Sequence, residues 1–157
     1  MIVVSEYLHV ADRAAELGIR LSDEIAVMPD NFANAPTRED FVHGAGAASV
    51  RLLLEGNILT RMSHDARHAA QGAEEDWHIT LFAPSRLARL SPERLAAALR
   101  EISDHLGAMA KAFPRRKIAL TLIVERGSDC SCKRLTYEGD VSSLGPLLDK
   151  ALAIAGE

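Results

Sequence analysis

Apolar and polar positions change their spacing along the chain, and each change predicts a different element. Near the N-terminus, apolar residues recur at spacings of four and three, which predicts an amphipathic helix over residues 3–17: Val3, Tyr7, Val10, Ala14 and Leu17. Ser5 is a candidate N-cap for this helix, and Gly18 is the stop signal that follows it. Residues 24–28 predict a short strand, and Pro-Asp-Asn at 29–31 predicts a turn.

The middle of the chain predicts a second helix and then a strand. The helix begins at Thr37, ends at Gly56-Asn57, and carries one apolar face: Phe41, Ala45, Ala48 and Leu52. The strand covers residues 58–62, and the polar residues 63–76 predict no element. Gly44 and Gly46 fall inside the predicted helix, so Gly-x-Gly here does not indicate a phosphate loop, which lies between a strand and a helix. Small residues there indicate the close approach of another element.

The next two elements have the clearest patterns. Residues 77–83 alternate in polarity, with Trp77, Ile79, Leu81 and Ala83 on one face, which predicts a strand. Residues 92–113 predict a long helix, because Ser91 suits the N-cap and Pro92 suits the first helical position. Its apolar stripe has spacings of four and three: Leu95, Leu99, Ile102, Leu106, Met109 and Phe113.

The C-terminal part predicts a hairpin and a last helix. Residues 118–124 form an apolar strand, 127–131 a turn, and 134–138 the returning strand, while a short helix opens at Gly145-Pro146. We therefore expect a single α+β domain over residues 1–157. It would be a two-layer domain with a mainly antiparallel sheet of about four or five strands, in the element order α-β-α-β-β-α-β-β-α.

Composition and charge narrow the classes of function. The chain has 157 residues, 48% of them hydrophobic, which suits one domain with its own core. Residues 1–78 carry 6 Lys and Arg against 13 Asp and Glu, whereas residues 79–157 carry 12 against 9. An acidic half beside a mildly basic half argues against nucleic acid as a partner and is compatible with a protein partner or with charge-complementary self-association. The sequence also predicts a cytoplasmic protein with no membrane partner, because it shows no signal peptide and no apolar run of spanning length.

His78-Ile79-Thr80 is the sharpest local motif. On a strand the imidazole of His78 and the hydroxyl of Thr80 point to one face, which makes them candidate catalytic residues. The motif resembles one half of the two-histidine phosphoesterase signature, a His-x-Thr strand followed by a helix, here with its helix at 91–100. That resemblance implies a second such strand carrying the partner acid or base. The corresponding strand here reads Leu120-Thr121-Leu122 and has no histidine.

Two histidines and two cysteines supply the ligand types of a zinc site. His64 and His68 are four residues apart and would share one face of a helix, and Cys130 and Cys132 lie two apart beside the predicted turn. Two imidazoles and two thiolates complete a tetrahedral zinc inventory if the pairs meet in space. Otherwise the histidines are solvated and the thiols are unpaired.

These observations favour a non-catalytic protein-interaction module, adaptor-like or chaperone-like, acting as a homodimer without a cofactor. It would bind a partner chain through a sheet edge or an apolar helix face. The order of its elements resembles that of bacterial secretion chaperones and small dimeric adaptor domains. The alternative is a zinc-binding or phosphoesterase-like enzyme that uses His64, His68, His78 and the cysteine pair.

Overall fold

The computed structural model describes residues 2–44, 46, 50, 76–115, 117–138 and 145–157. A mixed five-stranded sheet with four helices packed on it confirms the expected α+β class. The strands are β1 Ile2–Tyr7, β2 Ala26–Val27, β3 Trp77–Ala83, β4 Ile118–Glu125 and β5 Cys132–Glu138. The helices are α1 Val10–Leu17, α2 Ser85–Leu90, α3 Pro92–Ala112 and α4 Gly145–Ala155, and Arg38–Asp40 form one 3₁₀ turn.

The strands lie in the order β1-β5-β4-β3-β2. The β1–β5, β4–β5 and β2–β3 pairs are antiparallel, so the sheet is mainly antiparallel as expected. The β3–β4 pair is parallel. Parallel neighbours need a crossover connection, and α2 and α3 supply it.

The alternation of side chains divides the core between the two faces of the sheet. On one face, α2, α3 and α4 pack against β3, β4 and β5 through a large apolar cluster that includes Ile79, Leu122 and Leu106. On the other face, α1 and the segment from 28 to 41 cover Phe82 and Ile123 in a smaller cluster. The polar residues of β3 lie on this second face, beside the smaller cluster.

The N-terminal prediction is wrong in its first half. Residues 2–7 are a strand, and only residues 10–17 are helical, so Ser5 is not an N-cap. The sequence Ile-Val-Val at 2–4 is β-branched, which favours an extended chain, and every β1 residue pairs with one of β5. Gly18 does end α1, in a left-handed conformation with φ 68°.

The second predicted helix is wrong over residues 37–44, whereas Val50, farther along it, is helical as predicted. Thr37 precedes only the 3₁₀ turn, Phe41 is extended, and residues 41–44 are not helical. A hydrogen bond from the amide of Asp30 to the carbonyl of Val42, 2.8 Å long, ties this stretch to the turn after β2. Most of the remaining predicted helix, and the whole predicted strand at 58–62, lie outside the described residues.

The predictions for the later elements agree more closely with the structure. Strands β3, β4 and β5 and helices α3 and α4 lie where they are predicted, and the stripe of α3 is buried at Leu95, Leu99, Ile102 and Leu106. Ser91 precedes α3, but its side chain makes no capping hydrogen bond. The short helix α2 was not predicted. Among the helices of the described part of the chain, none combines the length and apolarity that crossing a bilayer requires.

Candidate functional site

His78 and Thr80 lie on the same face of β3, as strand alternation requires. The parallel neighbour β4 brings Thr121 into register with Thr80, while His78 is in register with Ala119. The two-histidine phosphoesterase signature implies a second histidine on a neighbouring strand, on the face that carries His78. On β4 that face carries Thr121. The described strands carry no second His-x-Thr.

Asp30 is the residue that joins these side chains, and it comes from the turn that follows β2. Hydrogen bonds from Asp30 and from its neighbour Asn31 hold this turn in place. The amide of Asp30 donates to the carbonyl of Val42, and the side chain of Asn31 both donates to the carbonyl of Asp40 and accepts from the amide of Val42, all at 2.8 Å. The carboxylate of Asp30 is thus held against β3 by backbone geometry.

Three side-chain hydrogen bonds form what we call the Asp30 cluster, made of Asp30, His78, Thr80 and Thr121. His78 Nδ1 lies 2.9 Å from Asp30 Oδ2, and Thr80 Oγ1 donates to Asp30 Oδ1 at 2.7 Å. His78 Nε2 lies 3.1 Å from Thr121 Oγ1. Because an ionised carboxylate only accepts, Nδ1 carries a proton. In the neutral ring, Nε2 then presents its lone pair to the hydroxyl of Thr121.

The carboxylate of Asp30 also favours the protonated form of the His78 ring. The hydrogen bond to Asp30 raises the pKa of His78, burial opposes that rise, and the negative charges of Asp30 and Glu138 add to it. The side chain of His78 remains 42% exposed. The ring can therefore exchange protons with solvent while Asp30 holds its orientation.

We expect the cluster to make stability depend on pH in a defined direction. A histidine whose folded pKa lies above its ordinary value of 6.5 contributes stability that is complete below that value and is lost as the pH rises through the folded pKa. The free energy of unfolding of the wild type relative to His78→Gln should therefore fall as the pH rises from 6.5. Urea titrations across this range measure the difference, and a difference independent of pH contradicts the prediction.

The zinc ligands predicted from the sequence are only partly described. His64 and His68 lie outside the described residues. Cys130 is exposed, and Cys132 is buried, with its pKa raised to about 11, mainly by burial. Within the described residues, no three His, Cys, Asp or Glu side chains group as a metal site. Zinc binding by His64, His68, Cys130 and Cys132 stays a prediction.

The outer edge of β1 is a second candidate feature. Within the part of the chain that the structure describes, β1 is an outer strand of six residues with no strand on its far side and with exposed side chains at Val3 and Val4. The opposite edge, β2, has only two residues. Glu6, the one charged residue of β1, forms an ion pair with Lys133 on β5. The sheet thus has one short edge and one long, largely apolar edge.

Sequence reasoning found half of the Asp30 cluster. His78 and Thr80 stood out through their spacing, whereas Asp30 gave only a turn signal and Thr121 only a polar break in an apolar strand. Asp30 and His78 are 48 residues apart, and His78 and Thr121 are 43 apart. The one sequence signal that could have pointed to Asp30 is its place in a Pro-Asp-Asn turn directly after a predicted strand.

Comparison with known proteins leaves these features as the basis for function. No protein-family model, no curated protein and no solved structure matches the chain significantly. Among the described residues, we therefore base a proposal of function on the Asp30 cluster and the outer edge of β1.

Proposed function

We propose that the protein is an interaction module that forms a homodimer by pairing the β1 strands of two copies. The observation that supports this most directly is the asymmetry of the two sheet edges. A sheet edge exposes unpaired N–H and C=O groups along its length, so a long, uncovered edge is a template for another strand. The six residues of β1 offer such a template, and the two residues of β2 do not.

The sequence of β1 and its pairing with β5 lack the devices that most often prevent edge pairing. Natural edges are protected by proline, by lysine, by bulges or by being very short. The sequence Ile-Val-Val-Ser-Glu-Tyr contains neither proline nor lysine, and its pairing with β5 is continuous from Ile2 to Tyr7. Glu6 is engaged with Lys133, so its charge does little to repel an incoming strand.

The composition of β1 suits a second copy of the same strand. In an antiparallel pair related by a two-fold axis at Val4, each Val4 faces its counterpart, Val3 faces Ser5, and Ile2 faces Glu6. Glu6 then does not face Glu6, and the two exposed Val4 side chains meet at the centre of the interface. Cross-strand pairs of β-branched residues stabilise antiparallel strands, whereas like charges directly opposite destabilise them.

A homodimer of this kind has a consequence for an adaptor. Every other surface of the protein is presented twice, in a fixed relative orientation, because the two sheets become continuous. Two linked copies of a weak binding surface gain affinity from the second, intramolecular contact. This is the sense in which we propose an adaptor-like function.

The test is the oligomeric state of the wild type and of Val4→Lys. Two ammonium groups would face each other at the two-fold axis, so we expect the dimer dissociation constant to rise at least tenfold, about 1.4 kcal/mol. Size-exclusion chromatography with light scattering over a concentration series measures it. Circular dichroism checks that Val4→Lys keeps the fold.

Leu90→Lys is the matched control, because it also replaces an exposed apolar side chain with lysine but lies at the end of α2. We expect Leu90→Lys to dimerise like the wild type. A wild type that stays monomeric throughout the series overturns the proposal. So does a dimer that Val4→Lys and Leu90→Lys leave equally intact.

A further inference from the structure

Beyond the proposed function, we propose that the Asp30 cluster is an acyl-transfer site, in which the hydroxyl of Thr121 is the nucleophile, His78 is its general base and Asp30 orients the base. The substrate class is an ester with a small acyl group. This inference concerns the polar face of β3 and β4, and it does not depend on pairing through β1.

The first argument is the chain of hydrogen bonds that runs from Thr121 through His78 to Asp30. An activated hydroxyl needs a base within about 2.6–3.2 Å and a third group that orients the base. The Thr121–His78 distance of 3.1 Å and the His78–Asp30 distance of 2.9 Å both fall within these limits. The two bonds use opposite nitrogens of one ring, so a proton taken up at Nε2 leaves a positive charge that Asp30 stabilises.

The support of Asp30 is the second argument. Thr80 occupies Oδ1 at 2.7 Å, which leaves Oδ2 for the imidazole and fixes the plane of the carboxylate. The turn around Asn31 holds the backbone of Asp30 in place. A base whose orienting carboxylate is itself held on both sides is pre-organised for proton transfer.

The exposure of the ring is the third argument. Water can satisfy the nitrogens of a half-exposed imidazole, so the fold does not require both of them to bond to protein groups. His78, at 42% side-chain exposure, nevertheless has both nitrogens directed to protein groups. A solvent-accessible base that faces a nearly buried hydroxyl suits proton transfer at the protein surface.

The proposed reaction balances as follows. The oxygen of Thr121 attacks the ester carbonyl carbon while its proton moves to His78 Nε2. The bond from that carbon to the leaving oxygen then breaks, and His78 returns the proton to the leaving alcohol. Water then attacks the acyl carbon of the Thr121 ester while one of its protons moves to the same nitrogen. The bond from that carbon to Thr121 Oγ1 breaks and His78 returns the proton to Oγ1, so that ester and water give a carboxylic acid and an alcohol and the site is restored.

Access to the nucleophile limits the acyl group. Thr121 is 7% exposed, and Thr80 beside it is also buried. A β-branched nucleophile on a strand, between neighbouring strands, leaves little room beyond its own methyl group. We therefore assign acetyl and similarly small acyl groups, with the leaving alcohol on the solvent side next to His78.

The test uses the full chain and p-nitrophenyl acetate. We expect Thr121→Val to lower the rate of p-nitrophenolate release at least a hundredfold, the range typical of a lost general-base step, and Thr121→Ser to restore most of it. Thr136→Val is the matched control, because Thr136 faces Thr121 on β5 but is outside the cluster. It should react like the wild type.

Two readouts separate this role from a structural one. Peptide mapping by mass spectrometry should place an acetyl group on Thr121 of the wild type during turnover. The rate should rise as His78 loses its proton, and Asp30→Asn, which removes a facing carboxylate and leaves that of Glu138, should move this rise to lower pH. Equal rates for Thr121→Val and Thr136→Val, or acetylation only at other residues, overturn the proposal.

Discussion

Replacing Gly44 with alanine is expected to be among the most destabilising single-methyl additions in this chain. A Cβ on Gly44 would lie 1.9 Å from the carbonyl oxygen of His78 and 2.8 Å from Oδ2 of Asp30. The first contact is with strand backbone, which cannot turn away as a side chain can. We expect a loss in the free energy of unfolding at the upper end of the range for overpacked sites, about 3 kcal/mol.

The same substitution should also disturb the Asp30 cluster. Because the new methyl group contacts both Asp30 and His78, the segment from 41 to 44 must move away from β3 or carry Asp30 with it. The raised pKa of His78 depends first on its bond to Asp30, so this pKa should fall toward 6.5 in any Gly44→Ala protein that remains folded. Histidine proton resonances followed against pH measure the change.

Gly107→Ala is the matched control, since it adds the same methyl group to a glycine within α3 where nothing lies within 4 Å of the added carbon. Alanine is a better helix former than glycine, so this variant should gain about 0.5–1 kcal/mol. Urea unfolding of both variants gives the comparison. If Gly44→Ala is as stable as the wild type, residues 41–44 do not pack on β3 in solution as described.

Gly44 also shows how far the sequence could predict the fold. The small residues at 44 and 46 correctly indicated a close approach: Gly44 lies against the backbone of β3 at His78, and Gly46 lies against the side chains of Trp77 and Met109. The helix expected around them is not present at residues 41–44, because hydrogen bonds to Asn31 and Asp30 take the backbone groups of Val42. Such long-range bonds have no signal in local periodicity.

The N-terminus failed for a different reason. Val3, Tyr7, Val10 and Ala14 fit a helical period, but Val3 is exposed and Tyr7 is half-buried on the second face of a strand. Over so few residues, one continuous helix and a strand followed by a helix place apolar residues at similar positions. What decided the outcome was pairing with β5, more than a hundred residues away, which spacing alone could not reveal.

Leu106→Ala is the second variant for which we expect a large effect, because Leu106 is fully buried in α3 against the sheet. Truncating a buried leucine removes its transfer free energy and leaves a cavity, which costs about 2–5 kcal/mol. Leu90→Ala makes the same chemical change at an exposed position and should stay within about 0.5 kcal/mol of the wild type. Urea unfolding measures both.

The comparison with Gly44→Ala makes this prediction sharper. Leu106 packs on the face of the sheet opposite the Asp30 cluster, so the cavity touches none of the four cluster residues. In a domain that unfolds cooperatively, the raised pKa of His78 should persist in folded Leu106→Ala protein and disappear only with global unfolding. A His78 pKa that falls in folded Leu106→Ala as it does in Gly44→Ala would mean that β3 does not separate the two faces as described.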